Sequence, residues 1–264
     1  MVSKKQRSNI AKSKRSLLQS QAITKRRRLF FDCETSPNVG LFWQAGYKQK
    51  IDYSNIIKER AIICICYKWE DEKEVYGITW DGNQNDKKLL EKFIEVANQA
   101  TELVGHNGDK FDIAWIRTRC LYHRIDMFPH YTTIDTLKIS RSKFKFNSNR
   151  LNYIADFLGI GQKIKTEFDL WKKIVLNNDK AAMEKMVKYC KKDVLLLERV
   201  YSHLKTHVTP VSHYGVIFGQ DRGSCPECGS DDLTKVNSRT TATGLKKIQL
   251  KCNTCGRYHS KTDK

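Results

Sequence analysis

The chain has 264 residues and a mass of 30.7 kDa, long for one compact domain and short for two full-sized ones, which predicts one large domain with small appendages. Apolar residues make up 40% and aromatics 10%, which excludes a wholly disordered chain; no run approaches the ~18 uninterrupted apolar residues of a membrane span, so a soluble protein with no membrane partner is expected. A formal net charge of +19 points to a polyanionic partner, nucleic acid first, with a merely solvated basic surface as the alternative.

In chain order, residues 1–28 carry ten Lys/Arg and no acid and read as a flexible basic arm. The arm lacks the continuous apolar core of a secretory signal, and its Arg- and Ser-rich composition suits a transit peptide equally well. Residues 29–34 read as a strand, ended by Thr35-Ser36-Pro37-Asn38. Residues 61–69 and 74–80 are β-rich runs across a charged turn, hence a hairpin. Asp86 is read as capping a helix that runs to about residue 99, with Leu89, Leu90, Phe93, Ile94 and Ala97 as its apolar face. A short strand at 102–106 leads into a helix at 111–124, and 131–139 fits strand or helix. Segments 150–158, 168–176 and 181–208 read as helices. The order predicts an α/β domain over 29–209, a mixed sheet flanked by helices, then a linker at 210–222 and a small module at 223–264.

Three pieces of this pattern carry acids. Asp32 and Glu34 stand two apart in a strand, so both side chains leave one face while Leu29, Phe31 and Cys33 point to the other. Adjacent carboxylates repel, and a cation to hold them is one reason for such a pair; two solvated acids at a strand end is the other. In Gly105-His106-Asn107-Gly108-Asp109-Lys110-Phe111-Asp112, the last acid falls in a first helical turn, where the helix dipole alone would favour it. Asp193 lies on the apolar stripe of Met186, Tyr189, Cys190, Leu197, Val200 and Leu204. An inward-facing acid there needs a metal or a buried ion pair, with Arg as the expected partner. Tyr189 sits one turn earlier on the same face.

Together these pieces resemble the DEDD superfamily of 3′-to-5′ exonucleases, which has the RNase H-like fold. Phe31-Asp32-Cys33-Glu34-Thr35 matches the first motif, His106-Asn107-Gly108-Asp109-Lys110-Phe111-Asp112 the second, and Tyr189-Cys190-Lys191-Lys192-Asp193 the third. Lys188 stands where the histidine subclass has His, so the pattern is that of the tyrosine subclass. Asp135-Thr136-Leu137-Lys138 and Ser148-Asn149-Arg150-Leu151 are similar to the stand-alone exonuclease domains related to family B DNA polymerases, over about residues 28–207. The resemblance implies two Mg²⁺ or Mn²⁺ ions. Asp32 would bridge them, Glu34 and Asp193 would complete the first, and Asp112 would help hold the second. It also implies that Tyr189 orients the attacking water, with Asn107 and Thr35 as substrate contacts. The reaction expected is two-metal hydrolysis of nucleic acid from a single-stranded 3′ end, DNA before RNA, releasing 5′-mononucleotides. The alternative is a catalytically idle module that binds nucleic acid or recruits a replication or repair protein.

The nine cysteines are those of a reduced compartment such as the cytoplasm, not a secreted scaffold: five lie singly in apolar segments and four form two Cys-x-x-Cys pairs. Cys225, Cys228, Cys252 and Cys255 are two knuckles 23 residues apart, each followed by Gly, with an alternating segment at 246–251 between them. That spacing predicts a zinc ribbon with one structural Zn²⁺, a redox dithiol pair being the alternative.

Overall fold

The computed structural model describes residues 26–44, 46, 50–164 and 166–263. The basic arm, apart from its last three residues, therefore lies outside the described residues. The chain divides into two compact units, Arg27–Val208 and a second made of Thr209–Lys264 with the segment ending at Arg26.

In the larger unit, strands β1 (Arg28–Thr35), β4 (Ile62–Trp69), β5 (Tyr76–Thr79), β6 (Glu102–Gly105) and β7 (Thr133–Asp135) form a five-stranded sheet in the order β5-β4-β1-β6-β7. β4 runs antiparallel to both β1 and β5, while β1, β6 and β7 are parallel. A separate small hairpin pairs β2 (Val39–Gly40) with β3 (Ile56–Lys58). Helices α1 (Lys87–Ala97), α2 (Asp112–His123), α3 (Thr136–Lys143), α4 (Leu151–Phe157), α5 (Phe168–Asn177) and α6 (Lys180–Leu204) complete the unit. No described helix is long and apolar enough to cross a membrane.

The pleat of β1 sorts its side chains onto two cores. Leu29, Phe31 and Cys33 pack with Leu89, Leu90 and Phe93 of α1 and with Ile113 and Ile116 of α2. On the opposite face Phe30 packs with Ile154, Ile174, Met186, Val194 and Leu197 from α4, α5 and α6. Each such fully buried side chain contributes about 1.5–3 kcal/mol. Asp32 and Glu34 share the face of Phe30, as alternation dictates, and so look toward α6. The register pairs Asp32 with Cys66 and Glu34 with Cys64, then shifts so that Thr35 pairs with Ile62. Ile63 is the extra residue, a bulge that bends β4 beside the acids.

Two local readings change. Segment 131–139 is both strand and helix, because Asp135 ends β7 and caps α3, accepting N–H bonds from Leu137 and Lys138 at 2.9 and 3.4 Å. Arg28, read as part of the arm, is the first residue of β1 and 1% exposed. Its guanidinium is paired with Glu102 (2.7 Å) and Glu70 (2.9 Å) and lies over the Tyr201 ring.

The smaller unit holds an antiparallel sheet of β8 (Leu233–Thr240), β9 (Lys246–Cys252) and β10 (Tyr258–Asp263), in the order β10-β9-β8. Within residues 210–222 lies a short helix, α7 (Tyr214–Ile217), whose Tyr214 N–H donates to the Pro226 carbonyl at 2.9 Å.

Candidate active site

Side-chain oxygens of Asp32, Glu34 and Asp193 come within 4.8 Å of one another where β1 meets the middle of α6. Asp193 is 1% exposed. Its Oδ2 accepts a hydrogen bond from Lys163 Nζ at 2.6 Å, while its Oδ1 is buried with no hydrogen-bond partner among the described residues. Lys163 Nζ also donates to the Tyr189 hydroxyl at 3.4 Å. Asp112 is not one of the converging three. Buried in the first turn of α2, it accepts the Cys33 backbone N–H at 2.9 Å through Oδ1 and so grips β1 between the two acids in sequence.

The turn before α2 is fixed by other groups. Asn107 has a left-handed φ of 67°, and its N–H donates to Asp135 Oδ1 at 2.9 Å. His106 Nε2–H donates to the Asn149 carbonyl at 2.9 Å, and its Nδ1 lies 2.9 Å from the Thr136 hydroxyl. Thr35 borders a cavity of about 320 Å³ also lined by Arg60, Phe168 and Trp171, and its carbonyl accepts the Trp171 indole N–H at 3.1 Å.

The model of the RNase_H superfamily matches residues 29–205, most of the chain. The chain belongs to the RNase H superfamily. A solved structure similar to this RNase H-superfamily chain is the family B DNA polymerase from the hyperthermophilic archaeon Pyrobaculum calidifontis, with a TM-score of 0.51 and 16% identity. The match covers 69% of this chain and 25% of the polymerase, so the chain spans about a quarter of that protein, and the likeness is one of fold. No curated protein matches.

Electrostatics sets the resting state of this RNase H-superfamily site. Burial pushes the Asp32 carboxyl well above its usual range, and the charges of Asp112, Glu34 and Asp193 push it further. Burial, then Asp193, lifts Glu34 to about 8, and burial lifts Asp112 to about 6. Burial also raises Asp193, with bonds from Lys163 and Tyr189 offsetting part of the effect. Desolvation works against the Lys163 charge, but Asp193 outweighs it and holds the ammonium above its ordinary range. Burial followed by the Asp193 charge raises Tyr189. Tyr189 is therefore a hydroxyl donor at neutral pH. Crowded carboxylates, an orphaned Asp193 Oδ1 and hard oxygen donors fit Mg²⁺ or Mn²⁺.

A pH dependence follows. Folded Glu34 keeps its proton to about 8, whereas an unfolded glutamate loses it near ~4.3, so the folded chain binds more protons across that window and stability falls as pH rises through it. Between pH 6.5 and 8.5 the Tm without divalent ions should drop by at least about 3 °C. Glu34→Gln should flatten that slope, and Mg²⁺ should raise Tm more at pH 8.5 than at 6.5. Scanning calorimetry checks all three; a slope identical in Glu34→Gln would contradict the assignment.

Lys163 belongs to none of the three acidic motifs. It sits in an irregular segment after α4, held by its backbone N–H to Asn152 Oδ1 at 2.8 Å. Gly161 lets the segment approach α6. Its φ is 142°, and a Cβ there would sit 3.2 Å from Leu196 Cδ1. The buried ion pair with Arg, the alternative to a metal at Asp193, is made here by this lysine instead. Arg60 lies in a loop and Phe168 and Trp171 on α5, more than 100 residues on, so only the fold brings them to one cavity.

In the smaller unit the four knuckle sulfurs lie within 4.8 Å of one another, with Cys225–Cys255 and Cys228–Cys252 contacts of 3.6 Å each. Gly229 and Gly256 take left-handed φ values of 76° and 71°, and each donates its N–H back to the first cysteine of its knuckle.

Proposed function

We propose that this protein is a metal-dependent 3′-to-5′ exonuclease of the DEDD tyrosine subclass, acting on DNA in preference to RNA, with a nuclease domain at 29–209. The observation that supports it most is the convergence of Asp32, Glu34 and Asp193 within 4.8 Å beside Tyr189, with one Asp193 oxygen unsatisfied among the described residues. Asp32, Glu34 and Asp193 would hold one Mg²⁺ or Mn²⁺, with Asp32 shared and Asp112 assisting at a second. Bound there, the pair supplies a water that is nucleophilic at neutral pH and a counter-charge for the leaving 3′-oxygen.

The chain's own groups do the rest. Asp112, anchored on the Cys33 N–H, holds β1 so that Asp32 and Glu34 face α6. Tyr189 keeps its proton and orients water or phosphate through the hydroxyl. Lys163 neutralises Asp193 in this structure and is the charge a metal ion would relieve. Thr35, Arg60, Phe168 and Trp171 form an aromatic and cationic recess suited to a terminal nucleotide. Asn107, whose backbone N–H is held by Asp135, would be a further substrate contact.

The test uses end-labelled single-stranded DNA, duplex DNA and RNA with Mg²⁺ or Mn²⁺. Single-stranded DNA should be shortened fastest, and a 3′-phosphate should block the reaction by occupying the terminal recess. Cleavage unaffected by the 3′-phosphate would contradict the terminal site. Tyr189→Phe should lower kcat about 10- to 1000-fold with KM little changed, as expected for a positioning group. Single-turnover kinetics would show it; an unchanged rate constant rules out that role.

The four knuckle cysteines would hold one structural Zn²⁺, and the ribbon and basic arm would help retain substrate, with replication or repair proteins as further partners. A segment this short buries too little to fold without metal. Elemental analysis should find a tightly held Zn²⁺ at the knuckles of each chain, and Cys225→Ser or Cys252→Ser should lower the zinc content by one per chain while the Tm of the nuclease domain is unchanged. Zinc-free protein as purified from zinc-replete cells would refute this.

A further inference from the structure

Three other cysteines meet beside the acids. Cys64 and Cys66 leave the same face of β4, opposite Glu34 and Asp32, and Cys190 comes down on them from α6. All three are 0% exposed, and their sulfurs lie within 4.8 Å of one another. Cys190 Sγ donates to the Asp32 carbonyl at 3.4 Å and lies 3.7 Å from Asp32 Oδ2. Packing alone would be served by alanine or valine at these positions. Three thiols and a carboxylate oxygen are instead a donor set.

We propose that Cys64, Cys66 and Cys190 form a second metal site that takes a thiophilic divalent ion such as Zn²⁺ or Cd²⁺, with Asp32 as its fourth ligand. In a tetrahedral site with Zn–S of ~2.3 Å and Zn–O of ~2.0 Å, the S···S and S···O edges are about 3.8 and 3.5 Å. The observed spacings need only a modest contraction, and the thiol protons leave to solvent as the ion enters. Soft sulfur ligands select such ions and reject Mg²⁺. One carboxylate then serves two sites of opposite chemistry. An ion held by the thiols takes Asp32 away from the carboxylate cluster, so thiophilic metal would inhibit the nuclease; that consequence rests on the function proposed above, whereas binding does not.

The test loads the reduced, metal-free full chain with Cd²⁺ in the presence of Mg²⁺, removes loose metal by gel filtration, and reads cadmium content with the ultraviolet sulfur-to-cadmium charge-transfer band. The wild type should hold two Cd²⁺ per chain, with band intensity for seven thiolates, four from the knuckles and three from this triad. Cys190→Ala and Cys64→Ala should each hold one, with the intensity of four. One Cd²⁺ and four thiolates in the wild type overturns the proposal, whether or not the variants fold and whether or not the chain cuts DNA. Where nuclease activity is present, Cd²⁺ should suppress it in the wild type and spare it in Cys190→Ala.

Discussion

Asp32→Ala should lose at least about 10³-fold in cleavage rate while still binding single-stranded DNA, the scale seen when one member of a cooperative catalytic set is removed. Asp193→Ala should behave similarly, and the double variant should lose little more, because the ligands act as a unit. The same geometry predicts an opposite effect on stability. Burial first, then the charges of Asp112, Glu34 and Asp193, raise the Asp32 pKa; replacing it removes a buried carboxyl that must either stay protonated or add to the crowded charge. Without divalent ions, Asp32→Ala should therefore melt no lower than wild type, and Mg²⁺ should no longer raise its Tm. Loss of activity together with loss of fold would assign Asp32 a structural role instead.

Asp86→Ala should destabilise the chain by about 3–5 kcal/mol in urea unfolding, the range for breaking a buried ion pair from one side. An ordinary helix cap would be worth about 1 kcal/mol. Asp86 precedes α1 but makes no side-chain cap bond. Instead its fully buried carboxylate takes Arg119 Nε and Nη2 at 2.8 and 2.9 Å, His123 Nε2 at 2.6 Å and the Ile62 N–H at 2.9 Å. Burial alone would raise its pKa, but these bonds together hold it below its usual range. Removing it leaves the Arg119 charge buried and the β4 N–H unpaired. A loss near 1 kcal/mol would restore the cap reading.

The contrast shows what the sequence carries and what it does not. Alternation in β1 placed Asp32 and Glu34 on one face, and the apolar stripe of α6 placed Asp193 inward, because strand and helix periods are local properties. Asp86 looked like a cap because its partners are 33 and 37 residues away. Lys163 escaped for the same reason: it reaches Asp193 from an irregular segment, 30 residues distant, with no period to place it. Asp112 was legible as a first-turn acid, but its bond to Cys33 depends on how α2 packs behind β1. The thiol triad joins two positions two apart on a strand to one on a remote helix, so only the packed fold reveals it.

If the acids beside Tyr189 cut nucleic acid from its 3′ end with divalent metal, as proposed above, the products themselves will show it. The most direct measurement follows 5′-labelled single-stranded DNA at nucleotide resolution, with Mg²⁺ or with chelator, for wild type, Asp32→Ala and Asp193→Ala. A ladder shortening one nucleotide at a time from the 3′ end is expected with wild type and Mg²⁺ only. Internal cuts, equal degradation by the variants, or a wild type that binds the strand and leaves it intact would contradict it.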